Sequence, residues 1–173
     1  FFEIFQQAEK SQKEFTAIDV GCGNGWVVRL LDKHPLCTSA EGVDGANAMI
    51  QKAKEIDSEG NYSVCLLPEF SPTKRYDMIH SMEFLYYLKD PKSMLKLFFD
   101  NWISQDGWLV VGIDHYKENE DSLSWPEQVG VHMTTLSTRE WLDAWQEAGF
   151  SNISTWQAGE KGQVTLVITG QKK

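Results

Sequence analysis

A glycine-rich turn between a short apolar strand and a helix is the feature that most constrains this chain. Residues 15–25 read FTAIDVGCGNG, so a β-branched run leads into three glycines within five positions, and a helical pattern begins at Trp26. That order predicts a strand, a tight turn and a helix N-terminus. Glycine suits such a turn because a Cβ would exclude its backbone angles and keep a ligand away from the main chain. The free N–H groups beside the turn favour an anion or a polar tail as ligand.

The spacing of these glycines disfavours a dinucleotide as that ligand. The fingerprint G-x-G-x-x-G/A needs a small residue three positions after its second glycine. The second glycine here is Gly23 and the residue three positions on is Trp26, while the third glycine is Gly25. An indole does not suit the close helix–strand packing beneath a pyrophosphate. The sequence also lacks a Tyr-x-x-x-Lys pair, so a nicotinamide-dependent oxidoreductase remains only as a weaker alternative.

A carboxylate ends the next short strand. Residues 40–45 read AEGVDG, which places Asp44 about 20 residues beyond the glycine turn, the usual distance for a ribose-binding acid. An acid at the tip of the second strand of a βαβ unit can accept hydrogen bonds from both ribose hydroxyls. We therefore expect Asp44 to hold a ribose, with Gly45 beside it in the same site.

Seven segments then carry a family pattern in one order along nearly the whole chain. They are the turn 19–25, the strand end 42–44, the helix start 48–50, and the segments 76–81, 88–91, 107–111 and 136–150. Together they resemble the class I S-adenosylmethionine-dependent methyltransferases. Alternation of strands and helices by itself predicts a parallel sheet with helices on both faces. The resemblance implies a Rossmann-like, doubly wound α/β fold with seven mostly parallel strands, the last one antiparallel.

The resemblance also assigns the cofactor site to S-adenosyl-L-methionine. It implies that Asp19 orients the turn and the cofactor's amino-acid end, that Gly21 and Gly23 let the backbone approach, and that Ser81 borders the methionine part. Cys22 is read as a small residue tolerated beside the ligand. The remaining candidates would sandwich the adenine, although an ordinary core role is as good a reading for each: Met49, Leu66 and Leu67. An acid that often follows the third strand in this family is replaced here by Leu66-Leu67-Pro68.

The acceptor side is less determined. The Asn/Asp-Pro-Pro-aromatic motif of the nucleic-acid amino-methylating branch is replaced by Ser81-Met82-Glu83-Phe84, which resembles the small-molecule branch. We expect acceptor specificity to reside in Tyr86-Tyr87 and in the polar, aperiodic segment 114–135. Oxygen, nitrogen, sulfur and carbon acceptors all stay open, and no catalytic residue is assigned; the weak candidates for a base are His115, His132 and Glu83. A non-catalytic cofactor-binding or scaffolding protein is the alternative function.

Bulk properties exclude several partners. The net charge of −9 makes a nucleic-acid backbone an unsuitable partner, and no apolar run approaches the length of a membrane span. Three cysteines without metal-ligand spacing indicate reduced thiols, a cytoplasmic setting and no metal site. The 173 residues predict one domain over the whole chain. Because the chain begins with Phe1-Phe2 and not with methionine, we expect natural N-terminal residues to be missing. The sequence leaves the oligomeric state open.

The remaining elements follow from periodicity and turn signals. Apolar spacing predicts a helix over about residues 1–14, a third strand over Tyr62–Leu67, and a fifth strand over Trp108–Ile113 after a helix that begins at Pro91. Ser137 and Glu140 form a capping box for a late helix. Two final strands, 152–156 and 164–170, read as a hairpin that adds an antiparallel strand at one edge of the sheet.

Overall fold

Strands and helices alternate through the computed structural model, which describes residues 13–159 and 165–173. The strands are β1 (Phe15–Val20), β2 (Cys37–Asp44), β3 (Asn61–Val64), β4 (Tyr76–Met82), β5 (Ile103–Ile113), β6 (Ser151–Ala158) and β7 (Thr165–Gln171). The α-helices of these residues are α1 (Trp26–Asp32), α2 (Asn47–Ile56), α3 (Pro91–Leu97), α4 (Trp125–Val129) and α5 (Thr138–Ala148). The helix expected over about residues 1–14 lies almost entirely outside the described residues. Residues 13 and 14, which are described, have no regular secondary structure.

One sheet of seven strands organises the described residues, in the order β3-β2-β1-β4-β5-β7-β6. The first five strands pair in parallel, and β7 runs antiparallel to both of its neighbours. This confirms the expected mostly parallel sheet with an antiparallel last strand. That strand does not lie at the edge, however, because β6 pairs with its outer side. Strand order reverses between β1 and β4, and ligands of such sheets bind at the carboxyl ends of the strands at this point.

Helices cover both faces of the sheet, as the alternation predicted. On one face α1 and α2 bury Val27, Val28 and Ile50 against the odd-numbered β1 residue Ala17 and its neighbours. On the other face the larger core joins the sheet to α3 and α5, with Trp141 and other large aromatic side chains at its centre. Successive strand residues point to opposite faces, so the buried apolar residues of β1 and β4 are divided between these two cores.

The boundary between α3 and β5 differs from the sequence prediction. Asp90 caps α3 and Pro91 occupies its first turn, as expected, but the helix ends in a π-helical turn, Phe98–Trp102, and β5 begins directly at Ile103. The predicted start of the fifth strand at Trp108 is therefore wrong, because β5 begins five residues earlier. Asp106 takes a left-handed φ of 64°, and its N–H donates to the Lys172 carbonyl. Through this irregular pairing the polar residues at the start of β5 belong to the sheet. Their sequence does not have the apolar pattern from which a strand is predicted.

Two further segments are shorter or more ordered than the sequence indicated. The third strand ends at Val64, and a turn follows in which the Phe70 N–H donates to the Leu66 carbonyl at 3.0 Å. The segment 114–135 holds α4 and a short 3₁₀ helix, Glu120–Ser122. The capping box of α5 is confirmed, with Ser137 and Glu140 bonded reciprocally. These local differences leave the carboxyl ends of β1, β2, β4 and β5 in place.

Candidate active site

The glycine turn after β1 has the backbone that its sequence predicted. Gly21, Gly23 and Gly25 take φ values of 77°, 53° and 75°, which an L side chain rarely adopts. A Cβ on Gly21 would lie 2.8 Å from the Phe84 side chain, and one on Gly25 would collide with the Tyr62 ring. The turn is therefore packed between Tyr62 of β3 and the segment after β4, and it could not be rebuilt with larger residues.

A cavity of about 260 Å³ opens beside this turn. Its lining joins the turn after β1 to the end of β4, which is the point where strand order reverses: Asp19, Gly21, Cys22, Gly23, Asn24, Trp26, Val27, Met49, Met82 and Glu83. Five of the ten predicted cofactor residues are thus brought together in one cavity. The lining is mixed, because a carboxylate and glycine backbone face thioether and aromatic surface, as a cofactor with both polar and apolar parts requires.

Asp44 lies at the end of β2 and binds two backbone N–H groups. Its Oδ2 accepts from Gly23 at 2.8 Å and its Oδ1 accepts from Ala46 at 2.7 Å. The carboxylate therefore joins the glycine turn to the start of α2. Since two carboxylate oxygens offer about four lone pairs, acceptor capacity remains for the ribose hydroxyls that the sequence predicts there.

Asp19 is buried where β1 faces β4. It is 2% exposed, and its Oδ1 lies 2.7 Å from Nδ1 of His80, which is 0% exposed. The two residues are direct partners in the parallel β1–β4 register, so their side chains lie side by side on one face of the sheet. Sequence reasoning named Asp19 but missed His80, whose position opposite Asp19 depends on strand pairing.

Cys22 behaves as a buried apolar residue. Its thiol lies below the turn, 3% exposed, and a Cβ on Gly42 would approach its Sγ to 2.9 Å. Burial raises the pKa of the Cys22 thiol well above its usual range, and the nearby carboxylates of Asp19 and Asp44 raise it further. Because the thiolate is the reactive form, this environment fits the reading of Cys22 as a small residue beside the ligand.

The other predicted cofactor residues lie in three different surroundings. Met49 reaches over Gly23 at the cavity, and Leu66, 70% exposed, lies close to Gly45. Leu67 instead lines a second, more apolar cavity beside α3. Ser81 is 0% exposed and its hydroxyl donates to the Val20 carbonyl at 2.9 Å, so it ties β4 to β1 beneath the turn. Their contacts with the cofactor stay predictions.

Glu83 and Asp114 form a pair of carboxyl groups at the ends of β4 and β5. The Glu83 N–H donates to the Gly112 carbonyl at 3.0 Å, and Oε2 of Glu83 accepts from the Tyr86 hydroxyl at 2.8 Å. Burial first, and then the charge of Asp114, raise the pKa of Glu83 to about 8. Oε1 of Glu83 and Oδ1 of Asp114 are buried and make no hydrogen bond of good geometry with the described residues, although the Glu83 and Asp114 side chains lie close enough to interact with each other.

The two histidine candidates are held by the segment around them. His115 is 0% exposed; its Nδ1 donates to the Ser122 carbonyl at 3.0 Å, and its Nε2 then accepts from the Thr135 hydroxyl at 2.7 Å. Both ring nitrogens are occupied, so His115 fixes the segment 114–135 and is poorly suited to remove a proton from an acceptor. His132 is exposed and lies 3.0 Å from the Thr134 hydroxyl.

Metal binding and membrane insertion are two other roles that the described residues could have. No group of three or more His, Cys, Asp and Glu side chains in the described residues is arranged to hold a metal ion. Within residues 13–159 and 165–173, no helix has both the length and the apolar character needed to cross a membrane.

Comparison with known proteins defines the class. A family model described as a methyltransferase domain matches residues 3–155, and the chain belongs to that family. It is an S-adenosylmethionine-dependent methyltransferase of class I, and S-adenosylmethionine is its cofactor. The residues fit this cofactor because the buried Asp19 carboxylate and the glycine backbone line a single cavity. No curated protein matches the chain in sequence.

Solved structures share the fold at low sequence identity. A Haloferax volcanii methyltransferase in complex with the activator Trm112 has a TM-score of 0.79 and 23% identity, over 92% of this chain and 82% of that one. An S-adenosylmethionine-dependent methyltransferase from Mesorhizobium loti has a TM-score of 0.75 and 17% identity over 92% of both chains. A Thermotoga maritima methyltransferase, described as a possible histamine N-methyltransferase, has a TM-score of 0.68 and 20% identity, over 98% and 87%.

Proposed function

We propose that this methyltransferase transfers the methyl group to the nitrogen of a small cationic amine. The observation that carries the proposal is a pair of buried carboxyl oxygens, Glu83 Oε1 and Asp114 Oδ1, that make no hydrogen bond of good geometry with the described residues. Glu83 lines the cavity that contains the glycine turn. Buried acceptors of this kind need donors, and an ammonium group supplies three together with a compensating charge.

The raised pKa of Glu83 suits the proton transfer that such an acceptor requires. An amine is protonated near neutral pH, and its lone pair becomes available only after a proton leaves. A carboxyl group whose pKa is raised to about 8 by burial and by Asp114 accepts that proton with less difficulty than an ordinary carboxylate, because its basicity is closer to that of the amine. An approaching cation in turn favours the ionised form of Glu83.

The proposed reaction needs positioning more than further activation. S-adenosylmethionine, when bound, supplies a methyl group already activated by a sulfonium. The amine would give its proton to Glu83 Oε1, which would leave its lone pair free to accept the methyl group that S-adenosylmethionine would supply, with S-adenosylhomocysteine as the leaving group. Asp44 would hold the ribose and Asp19 the amino-acid end, so that the methyl group is aligned with the attacking nitrogen.

Aromatic surface next to the acid pair supports the same acceptor class. The rings of Tyr86 and Tyr87 lie 4.5 Å apart, and Tyr87 is 41% exposed. A cation is attracted to the faces of such rings, most strongly where water is excluded.

The acidic chain and the lack of an Asn/Asp-Pro-Pro-aromatic motif also favour a small molecule over a nucleic acid. All three cysteines are free, in keeping with the proposed cytoplasmic setting.

A matched pair of substrates tests the acceptor class. Phenethylamine and phenethyl alcohol differ only in the amine and hydroxyl groups, and histamine is added because one structural neighbour is described as a possible histamine N-methyltransferase. Purified protein with S-adenosylmethionine should form S-adenosylhomocysteine and an N-methyl product with an amine, measured by mass spectrometry. Equal transfer to the alcohol would contradict the proposal.

Variants test the role of the acid pair. Glu83→Gln should lower kcat by about 100-fold, the usual size of a lost general base, and leave S-adenosylhomocysteine affinity nearly unchanged. Glu147→Gln, which changes an exposed acid of α5 outside the segment 114–135, is the control and should keep full activity. Tight cofactor binding without transfer to any amine or alcohol would favour the alternative of a non-catalytic cofactor-binding protein.

A further inference from the structure

The Asp19–His80 pair is the one buried polar contact at the cavity that the assigned functions leave unexplained. Asp19 is 2% exposed and His80 is 0% exposed. A carboxylate accepts hydrogen bonds and does not donate them, so the 2.7 Å contact requires a proton on Nδ1 of His80. Burying both groups in the middle of a sheet would be costly without a role, because an apolar pair of similar size packs at least as well.

We propose that His80 is a positioning residue that orients the Asp19 carboxylate toward the ammonium group of the cofactor's amino-acid end. The inference rests on the proposed use of Asp19 in cofactor binding and adds the residue through which that side chain is held. His80 does not line the cavity, whereas Asp19 does, so any effect of His80 on the ligand must pass through Asp19.

The geometry favours orientation over simple packing. In the described residues Nδ1 of His80 is the one hydrogen-bond partner of the Asp19 carboxylate, and it contacts Oδ1. Fixing Oδ1 fixes the plane of the carboxylate, and Oδ2 is then the oxygen that remains for a ligand in the cavity. A ligand cation would complete the hydrogen bonding of a buried carboxylate, which strengthens the contact in a low-dielectric site.

The position of His80 is set by the fold at both ends of the contact. His80 pairs with Asp19 on one side and with Val110 of β5 on the other, so its backbone cannot shift without disturbing three strands. Ser81, the next residue, is bonded to the Val20 carbonyl. The imidazole is thus held on a rigid support, as a group that must aim another side chain should be.

Three substitutions of His80 separate donor position from bulk. His80→Asn keeps an N–H donor at the place of Nδ1, because its amide nitrogen is the same number of bonds from the backbone. His80→Gln moves the donor one carbon further out, and His80→Leu removes it. If the leucine variant does not fold, the comparison of asparagine with glutamine still decides the matter.

Two ligands separate the amino-acid end from the rest of the cofactor. S-adenosylhomocysteine carries the ammonium group, whereas methylthioadenosine has the same adenosine and sulfur without the amino-acid end. By calorimetry, His80→Gln should weaken S-adenosylhomocysteine by about ten- to hundredfold, the loss expected for one charge-assisted hydrogen bond, and methylthioadenosine by less than about threefold. His80→Asn should restore most of the S-adenosylhomocysteine affinity.

A double-mutant cycle tests whether His80 acts through Asp19. In an Asp19→Asn background, His80→Gln should cause no further loss of S-adenosylhomocysteine affinity, because coupled residues are not additive. Equal weakening of both ligands, additive losses, or unchanged S-adenosylhomocysteine binding in His80→Gln would each overturn the inference alone. Wild-type protein that binds neither ligand would overturn the proposed cofactor site and the inference with it.

Discussion

Replacing Asp44 with alanine should weaken cofactor binding through the ribose. The carboxylate accepts from the N–H groups of Gly23 and Ala46 at 2.8 and 2.7 Å, which holds it at the mouth of the turn. Two further bonds to ribose hydroxyls would each contribute about 1.5–3 kcal/mol before water compensates. Even if water recovered more than half of that sum, about 1.4 kcal/mol would remain, which is a tenfold loss of affinity.

The structure also indicates what this variant leaves intact. Asp44 is only half-buried and its bond to Ala46 is exposed, so water can replace the carboxylate at that N–H group. Asp77→Ala is a matched control, since the Asp77 carboxylate likewise accepts from a backbone N–H, that of Thr16, at 2.9 Å. Asp77 lies near the start of β4, at the opposite end of the strands. Both variants should lose similar thermal stability, and only Asp44→Ala should lose ligand affinity.

Calorimetry with S-adenosylhomocysteine and methylthioadenosine is the assay. Both ligands contain the ribose, so Asp44→Ala should weaken both by at least about tenfold. This differs from the pattern expected for His80→Gln, which affects one ligand. If Asp44→Ala binds both ligands as tightly as the wild type while remaining folded, another group holds the ribose and the reasoning from the tip of β2 is refuted.

Three further predictions concern stability and reactivity. Ser137→Ala removes the side-chain cap of α5 and should lower Tm by about 2–6 °C without changing S-adenosylhomocysteine affinity. Iodoacetamide should label native Cys37 and Cys65 before Cys22, which is 3% exposed, and Cys22→Ala should bind ligand within about threefold of wild type; early labelling of Cys22 by peptide mass mapping would contradict this. The pKa of Glu83 is raised from 4.5 to about 8 in the folded chain, so its contribution to stability is complete below pH 4.5 and is lost as pH rises through 8. Wild-type Tm should therefore fall more than that of Glu83→Gln between about pH 5 and pH 9, and parallel profiles would argue against a buried, protonated Glu83.

The parts of the site that sequence could predict are those whose signal is local. Gly21, Gly23 and Gly25 are required by backbone angles within one turn, and Asp44 follows from the length of one βαβ unit. The capping box of α5 is likewise contained in four residues. Each of these features needs no knowledge of which strands become neighbours, and each is found where the sequence placed it.

The parts that sequence missed depend on strand pairing. His80 acquires its contact with Asp19 only because β4 lies beside β1, and Asp114 meets Glu83 only because β5 lies beside β4. Asp19 and His80 are far apart along the chain, and Glu83 and Asp114 are separated by α3. The start of β5 was misplaced for a related reason, since its polar residues are paired by the Lys172 backbone, a partner more than 60 positions away.

In the proposed reaction, the strand order also accounts for where the carboxylates lie. Asp19 belongs to β1, Glu83 follows β4 and Asp114 follows β5, and these three strands are consecutive neighbours in the sheet. Transfer of a methyl cation moves positive charge from the cofactor's sulfur to the acceptor's nitrogen. A row of acids along adjacent strand ends would stabilise the ammonium of the cofactor at one end and the charge that develops on the acceptor at the other. The second part of that row can also bind a protonated amine before transfer, which it cannot do for an uncharged alcohol, and this is why the acid pair favours an amine.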